Sequence, residues 1–239
     1  LVAVGDVHPN REPPEETFEL VAPYLSAGDL RYCQLECTMS ELGTVRSDVR
    51  NPMHRVQPRN IRALTSARFE IVSFASNNGL DYGSEAYLDT INGLRAEGIA
   101  VIGGGHNLEE ARKPAVLERK GRRIAFINAS SILPKGYEAT PNRPGIAPLH
   151  VRTFYEPLED VYEQPGTPSR TWTVPDSNDL AEVLDSIRQA KQKADVVVAC
   201  FHWGVHFTHD LAMYQPEVAY TAVDAGADLV LGTHPHCLQ

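Results

Sequence analysis

Residues able to ligate a cation recur in one setting along this chain, directly after short apolar runs. Asp6 and His8 follow the first run, Glu36 the second, and Asn77 and Asn78 the third. His202 follows a longer run, and His234 and His236 follow the last. In open α/β sheets, ligands bind beyond the carboxyl ends of the strands, so groups from separate strand ends can converge on one cleft. Imidazoles, two carboxylates and an amide oxygen suit a borderline transition ion such as zinc, manganese or iron. Asp6, His8, Glu36, Asn77, His202, His234 and His236 exceed the needs of one ion and fit a pair bridged by a carboxylate. In Asp6-Val7-His8 and His234-Pro235-His236, alternate residues of an extended chain point the same way, so both members can face one ion. Pro235 biases His234 away from helix, and Gly5, Gly204 and Gly232 allow tight turns beside the ligands. Each piece alone has a plainer reading: His202 as a satisfied core histidine, Asn77-Asn78 as a turn, Glu36 as a cap, and the HPH segment as a solvated turn. Their recurrence at strand ends is what favours a site.

The elements that must position these groups are legible as alternating short apolar runs and amphipathic stretches, an α/β pattern. Strands are expected over residues 1–4, 30–35, 70–74, 99–102, 115–118, 124–128, 196–201 and 229–231. Helices are expected over 15–25, 59–65, 84–97, 178–193 and 215–225, the fourth with a start signal in Asp176, Ser177 and Asn178. The pair of runs around Lys120 and Gly121 reads as a hairpin rather than a crossover. Two long segments lack periodicity: 37–58, and a proline-rich loop over 130–175 that includes Pro134, Pro141, Pro148, Pro165 and Pro175. Either could wall or cover a site.

At 239 residues and 42% hydrophobic content the chain is expected to be one domain, 1–239, with an ordinary core. A net charge of -9 and the lack of any Lys/Arg cluster argue against a nucleic-acid surface. No apolar run approaches the ~18 residues of a membrane span. The four cysteines form no CxxC pair and read as buried thiols, although Cys33 and Cys37 have a spacing zinc could use. Leu1 already lies in an apolar run and Gln239 directly follows a His-rich motif, so the domain is expected to be trimmed at both ends. Five of the nine histidines fall between His202 and His236.

The spaced set GDVH, DLRYCQLE, FEIVSFASNNGLDYG, GIAVIGGG, HWGVHF and DAGADLVLGTHPHCLQ resembles the capsule-synthesis (CapA-type, poly-γ-glutamate) branch of the calcineurin-like metallophosphoesterase superfamily. The likeness runs over nearly the whole chain. It implies a four-layer α/β/β/α sandwich with two metal ions at the strand ends. Asp6 and His8 match the first metal motif, and Glu36 stands where a bridging Asp is usual. Asn77, His202, His234 and His236 match the remaining ligands.

Three positions depart from the pattern. Asn78 replaces a histidine that superfamily phosphatases use near the leaving group, Val205-His206 replaces x-Glu after HWG, and Gln34 replaces an Asn. An amide donates only a neutral hydrogen bond where an imidazolium donates a proton, so phosphodiesterase activity is expected to be poor unless His206 takes over. Two functions remain open. One is a dinuclear-metal hydrolase acting on a phosphoester or an amide-linked polymer, with Asn78 and His206 beside the reacting centre. The other is a non-catalytic component that uses bound metal to dock an anionic polymer for a membrane-bound capsule-synthesis complex. Trp203 is expected either to pack against substrate or to join the core. Relatives of this kind often carry an N-terminal anchor, which makes an extracytoplasmic position an expectation.

Overall fold

The computed structural model of the chain describes residues 1–158, 164 and 166–239. Its strands are β1 (Val2–Val7), β2 (Arg31–Leu35), β3 (Thr38–Met39), β4 (Arg55–Val56), β5 (Ile71–Ser73), β6 (Ala100–Ile102) and β7 (Gly104–Gly105) in the first part of the chain. They continue with β8 (Ala115–Arg119), β9 (Arg122–Ser130), β10 (Gly145–Ile146), β11 (Val151–Glu156), β12 (Arg170–Pro175), β13 (Val196–His202) and β14 (Leu229–Thr233). The α-helices are α1 (Ala22–Leu25), α2 (Ile61–Ser66), α3 (Gly83–Ala96), α4 (Leu108–Arg112), α5 (Ser177–Lys191) and α6 (Tyr214–Asp224).

Two four-stranded sheets carry this mixed α/β fold. The first is wholly parallel, in the order β1-β2-β5-β6. The second runs β14-β13-β9-β8, with only β8 antiparallel. The β8–β9 hairpin turns at Lys120 and Gly121, both at positive φ (51° and 71°), which suits the right-handed twist of its strands.

Strand alternation explains the packing. Along β13, Val196, Val198 and Cys200 join Tyr32, Ile71, Ile102 and Phe126 in a cluster drawn from both sheets. Val197, Ala199 and Phe201, on the opposite face, join Val183 and Ile187 of α5 and Val218 and Ala222 of α6. The first sheet does the same: Cys33, Leu35 and Val72 pack with α2 and α3 through Leu64, Tyr87, Ile91 and Leu94. With a period of two, residue 202 continues the face that lies between the sheets. Where the apolar alternation stops, a histidine is therefore delivered to the end of the inter-sheet space.

Two expectations need correction, while Cys33, Cys37 and Cys200 are buried thiols as expected. The helix over 15–25 is replaced by two 3₁₀ turns, Pro14–Glu16 and Glu19–Val21, followed by the four residues of α1. Pro23 removes a backbone donor there, and Leu20, Val21 and Tyr24 remain exposed, so only Phe18 and Leu25 pack on the core and little holds a regular helix. The 130–175 segment is not a continuous loop. It contains β10 and the antiparallel β11–β12 hairpin, in which Phe154 pairs with Trp172; Pro165 lies outside the described residues. Both hairpin faces are largely exposed, so the hydrophobic alternation that betrays a half-buried strand is missing. Cys33 and Cys37 lie in the apolar cluster beneath α2 and α3, where burial raises both thiol pKa values.

Phe126 is fully buried and stacks on Tyr32 across the sheets, ring centroids 6.3 Å apart. Phe126→Ala is expected to cost about 3–5 kcal/mol in denaturant unfolding. A loss below about 1 kcal/mol would contradict this inter-sheet packing.

Candidate metal centre

The two sheets meet at the carboxyl ends of their edge strands, β1 and β14, where the His234 amide donates to Asp6 Oδ2 at 2.8 Å. A bulge in β1 helps to aim Asp6: Ala3 pairs with Tyr32 and Asp6 with Gln34, so three steps on one strand match two on its neighbour.

Two sets of ligand atoms gather at this junction. Glu36, His202 and His234 offer atoms within 4.8 Å of one another, and so do Asp6, Glu36 and His236. Glu36 belongs to both sets. Its Oε1 lies 3.8 Å from His202 Nε2 and its Oε2 lies 3.7 Å from His236 Nε2. Asp6 lies 3.6 Å from Nδ1 of each of these rings, through Oδ1 to His202 and Oδ2 to His236.

The Thr233 hydroxyl donates to the Phe201 carbonyl at 3.4 Å and stands 3.0 Å from His202 Nδ1. It can therefore accept from Nδ1–H, which leaves the Nε2 lone pair facing Glu36 and Asn77. Asn77 Oδ1 is 2.8 Å from that Nε2. Two acceptors this close require a proton or a cation between them. Asp6 Oδ1, Glu36 Oε1 and His234 Nδ1 are also buried without hydrogen-bond partners. Orphaned acceptors at the meeting point of two carboxylates and several imidazoles fit a cationic guest.

The electrostatics point the same way. Burial, reinforced by the Asp6 charge, pushes the Glu36 carboxyl up to about 8. Burial also raises Asp6, against the opposing hydrogen bond from the His234 amide. His202 is held well below the usual imidazole range, first by burial and then by its neighbouring histidines. His234 falls to about 3 for the same reasons, with His206 and His236 the neighbours. The centre thus stores neutral imidazoles around a carboxyl that ionises with difficulty.

The other expected site residues are placed as follows. His8 is exposed, outside both sets, its ring 5.6 Å from that of His54. His206 also lies outside both sets and stacks on His234, with centroids 3.9 Å apart and 5.2 Å from His236. Asn78 is half-buried; its main-chain N–H donates to Ser76 Oγ and its main-chain carbonyl accepts from the Asp81 N–H, so the two asparagines both form a turn and deliver Asn77. The HPH segment is not extended: His234 and His236 take φ of 95° and 56°, and each falls in a different ligand set. Such backbone is uncommon outside glycine and occurs where neighbouring structure over-determines it.

Trp203 is buried, stacked on Phe201 at 4.8 Å in the helix-side cluster, which makes it a core residue. Gly204 makes the expected turn at φ 88°, whereas Gly232 lies within β14 and its missing side chain admits the Trp203 indole. Sequence reading passed over Thr233, although its place directly before HPH was a signal. A cleft of about 570 Å³ opens beside the centre, lined by Gly5, Asp6, Gly232, His234, His236 and Leu238 among others.

Chelator-treated protein should show a pH signature of this burial. Glu36, raised from 4.5 to about 8, keeps a proton in the folded state that the unfolded chain has released, so it withdraws stability as pH rises through that window. His202 and His234, both lowered from 6.5, act oppositely, but only below that value. Between pH 6.5 and about 8, stability is expected to fall by about 1–2 kcal/mol, and Glu36→Gln is expected to flatten the decline. Equilibrium unfolding across this range measures it; a slope unchanged by the substitution would contradict the assignment.

The sequence profile of the family described as bacterial capsule synthesis protein PGA_cap matches residues 1–239. The PGA biosynthesis protein CapA of Bacillus subtilis (strain 168) is 24% identical over 226 residues, 94% of this chain and 52% of the relative. The capsule biosynthesis protein CapA of Bacillus anthracis is 26% identical over 232 residues, 96% of this chain and 50% of the relative. The chain therefore spans about half the length of these curated relatives. A crystal structure of a hypothetical protein from Thermus thermophilus superposes with a TM-score of 0.50 at 17% identity, covering 98% of this chain and 67% of the other, a likeness of fold.

Proposed function

Because the chain belongs to the bacterial capsule synthesis protein family PGA_cap, we propose that it is a dinuclear-metal, hydrolase-like protein acting on a phosphoester or amide-linked polymer in capsule or poly-γ-glutamate biosynthesis. The observation that carries this reading is the sharing of Glu36 between two ligand sets. A bridging carboxylate is the economical way to hold two like charges close together. The placement of α2 and α3 on one sheet, α5 and α6 on the other, and a common cluster between them supports a four-layer α/β/β/α sandwich of the metallophosphoesterase type.

Glu36 with Asn77, His202 and His234 would hold one divalent ion, and Glu36 with Asp6 and His236 the other. His8, beside His54, is a peripheral ligand in this reading. The donor set suits manganese, zinc or iron. When bound, the pair supplies a Lewis acid and an activated water to the reacting centre. The chain's own residues do the rest. Thr233 fixes the His202 tautomer, and the buried walls exclude bulk water from Glu36. His206, outside both ligand sets, donates to a departing oxygen or nitrogen, while the Asn78 amide offers a neutral hydrogen bond nearby. Bound cations would also reverse the local sign of the field in a protein of net charge -9, admitting an anionic substrate.

One observation favours a second reading, a non-catalytic component that docks an anionic polymer at a membrane-bound capsule-synthesis complex: Asn78 cannot supply the proton that the matching histidine of related phosphatases supplies. No helix among the described residues is long and apolar enough to cross a membrane.

Elemental analysis of purified protein is expected to find about two transition ions per chain, a count lost in Asp6→Ala and His234→Ala. Metal-supplemented assays on an aryl phosphodiester and on poly-γ-glutamate then separate the readings. Turnover abolished in both variants supports the hydrolase, and silent assays with metal-dependent polymer binding support the docking component. Fewer than about one ion per chain would overturn both.

A further inference from the structure

Two candidate ligands or donors, His202 and His206, flank the turn at Trp203-Gly204-Val205, and a residue distant in sequence holds that turn. Tyr214, the first residue of α6, is buried, and its ring meets Trp203 edge-on at 6.4 Å. Its hydroxyl accepts from the Gly204 amide at 2.8 Å and lies 2.7 Å from Ser131 Oγ. Having accepted from Gly204, the phenol oxygen can either donate its one proton to Ser131 or accept the serine's.

Ser131 closes the circuit, because its own amide donates to the His202 carbonyl at 3.0 Å. The Tyr214 amide, in turn, donates to Thr173 Oγ1 of the β11–β12 hairpin at 3.2 Å. From the other side, Gln215 and Pro235 press on Gly204 closely enough that a Cβ there would meet them at 3.0 and 3.1 Å. The turn therefore has little freedom of its own, and one hydroxyl supplies the bond to its central amide.

We infer that Tyr214 is a positioning residue: through Gly204 and Ser131 it fixes where His202 and His206 stand at the strand ends. Its relevance to ion binding rests on the reading of the preceding subsection, whereas its hold on the loop does not. Residues behind metal ligands typically change affinity by about 10- to 100-fold when removed. The Tyr214 hydroxyl acts on the main chain rather than on an imidazole, yet it controls the same geometry.

Tyr214→Phe tests this, because it keeps the ring against Trp203 and removes only the hydroxyl. Two measurements on the whole chain decide it. In chelator-treated protein, the Gly204 amide is expected to exchange at least about tenfold faster and the His202 and His206 ring resonances to move, with the rest of β13 unchanged. In a Zn²⁺ titration, affinity is expected to drop by about 10- to 100-fold. Ser131→Ala should act in the same direction and more weakly. Thr173→Val, which leaves the Tyr214 hydroxyl in place, should leave Gly204 protected.

Unchanged Gly204 exchange and ring resonances in Tyr214→Phe would overturn the inference. Unchanged Zn²⁺ affinity, in a variant whose parent binds zinc, would do so as well. A wild-type protein that binds neither zinc, manganese nor iron defeats the metal reading instead, and the exchange and resonance measurements then decide the positioning role alone.

Discussion

The Glu36 carboxylate is buried where two sheets meet, facing His202 and His236 and close to a second carboxylate. Taking a charge out of water costs several kcal/mol unless something of opposite sign replaces the solvent. Here burial keeps His202 and His234 neutral, so neither of these buried imidazoles supplies a charge to balance Glu36. The rest of the site is arranged around this tension. The β1 bulge places Asp6, Thr233 orients His202, and the positive φ at His234 and His236 splits the HPH pair between the two ligand sets.

That arrangement depends on sheets packed face to face. Tyr32 and Phe126 stack between them, and the strand that carries Phe126 is hydrogen-bonded to the strand that ends in His202. Further along the same inter-sheet side, apolar groups give way to Gln34, Ser73, Asn128 and then His202, all buried. The core is dry at one end and polar at the other, and the candidate site is its polar end. Strand-end loops can vary there without disturbing the apolar layer, which is why a centre of this kind can be built from residues scattered over the chain.

Much of this was legible in the order of residues. Buried strands such as β2, β9 and β13 are short continuous runs with both faces covered, and Asp176 announced α5, whose first amides it caps. The convergence of Asp6, Glu36, Asn77, His202, His234 and His236 followed from their placement after such runs. What sequence pattern did not carry is whatever depends on partners distant in the chain. The assignment of His234 and His236 to different sets follows from backbone conformation, which an extended-chain rule cannot supply. His8 lies beside His54, on a segment without periodicity, so nothing marked the pairing. Tyr214 reads as an ordinary aromatic at a helix start until Gly204 and Ser131 are seen to meet at its hydroxyl. The exposed β11–β12 hairpin buries too little on either face to betray itself.

Everything proposed for the site turns on Glu36 being shared by two cations. Anomalous diffraction from a crystal of the metal-loaded protein tests that sharing without an assay, because ion number, element and ligands are read together. Two anomalous peaks are expected to flank the Glu36 carboxylate, one contacted by His202 and His234 and the other by Asp6 and His236. A single peak, two peaks of which only one contacts Glu36, or none at full metal loading would contradict it.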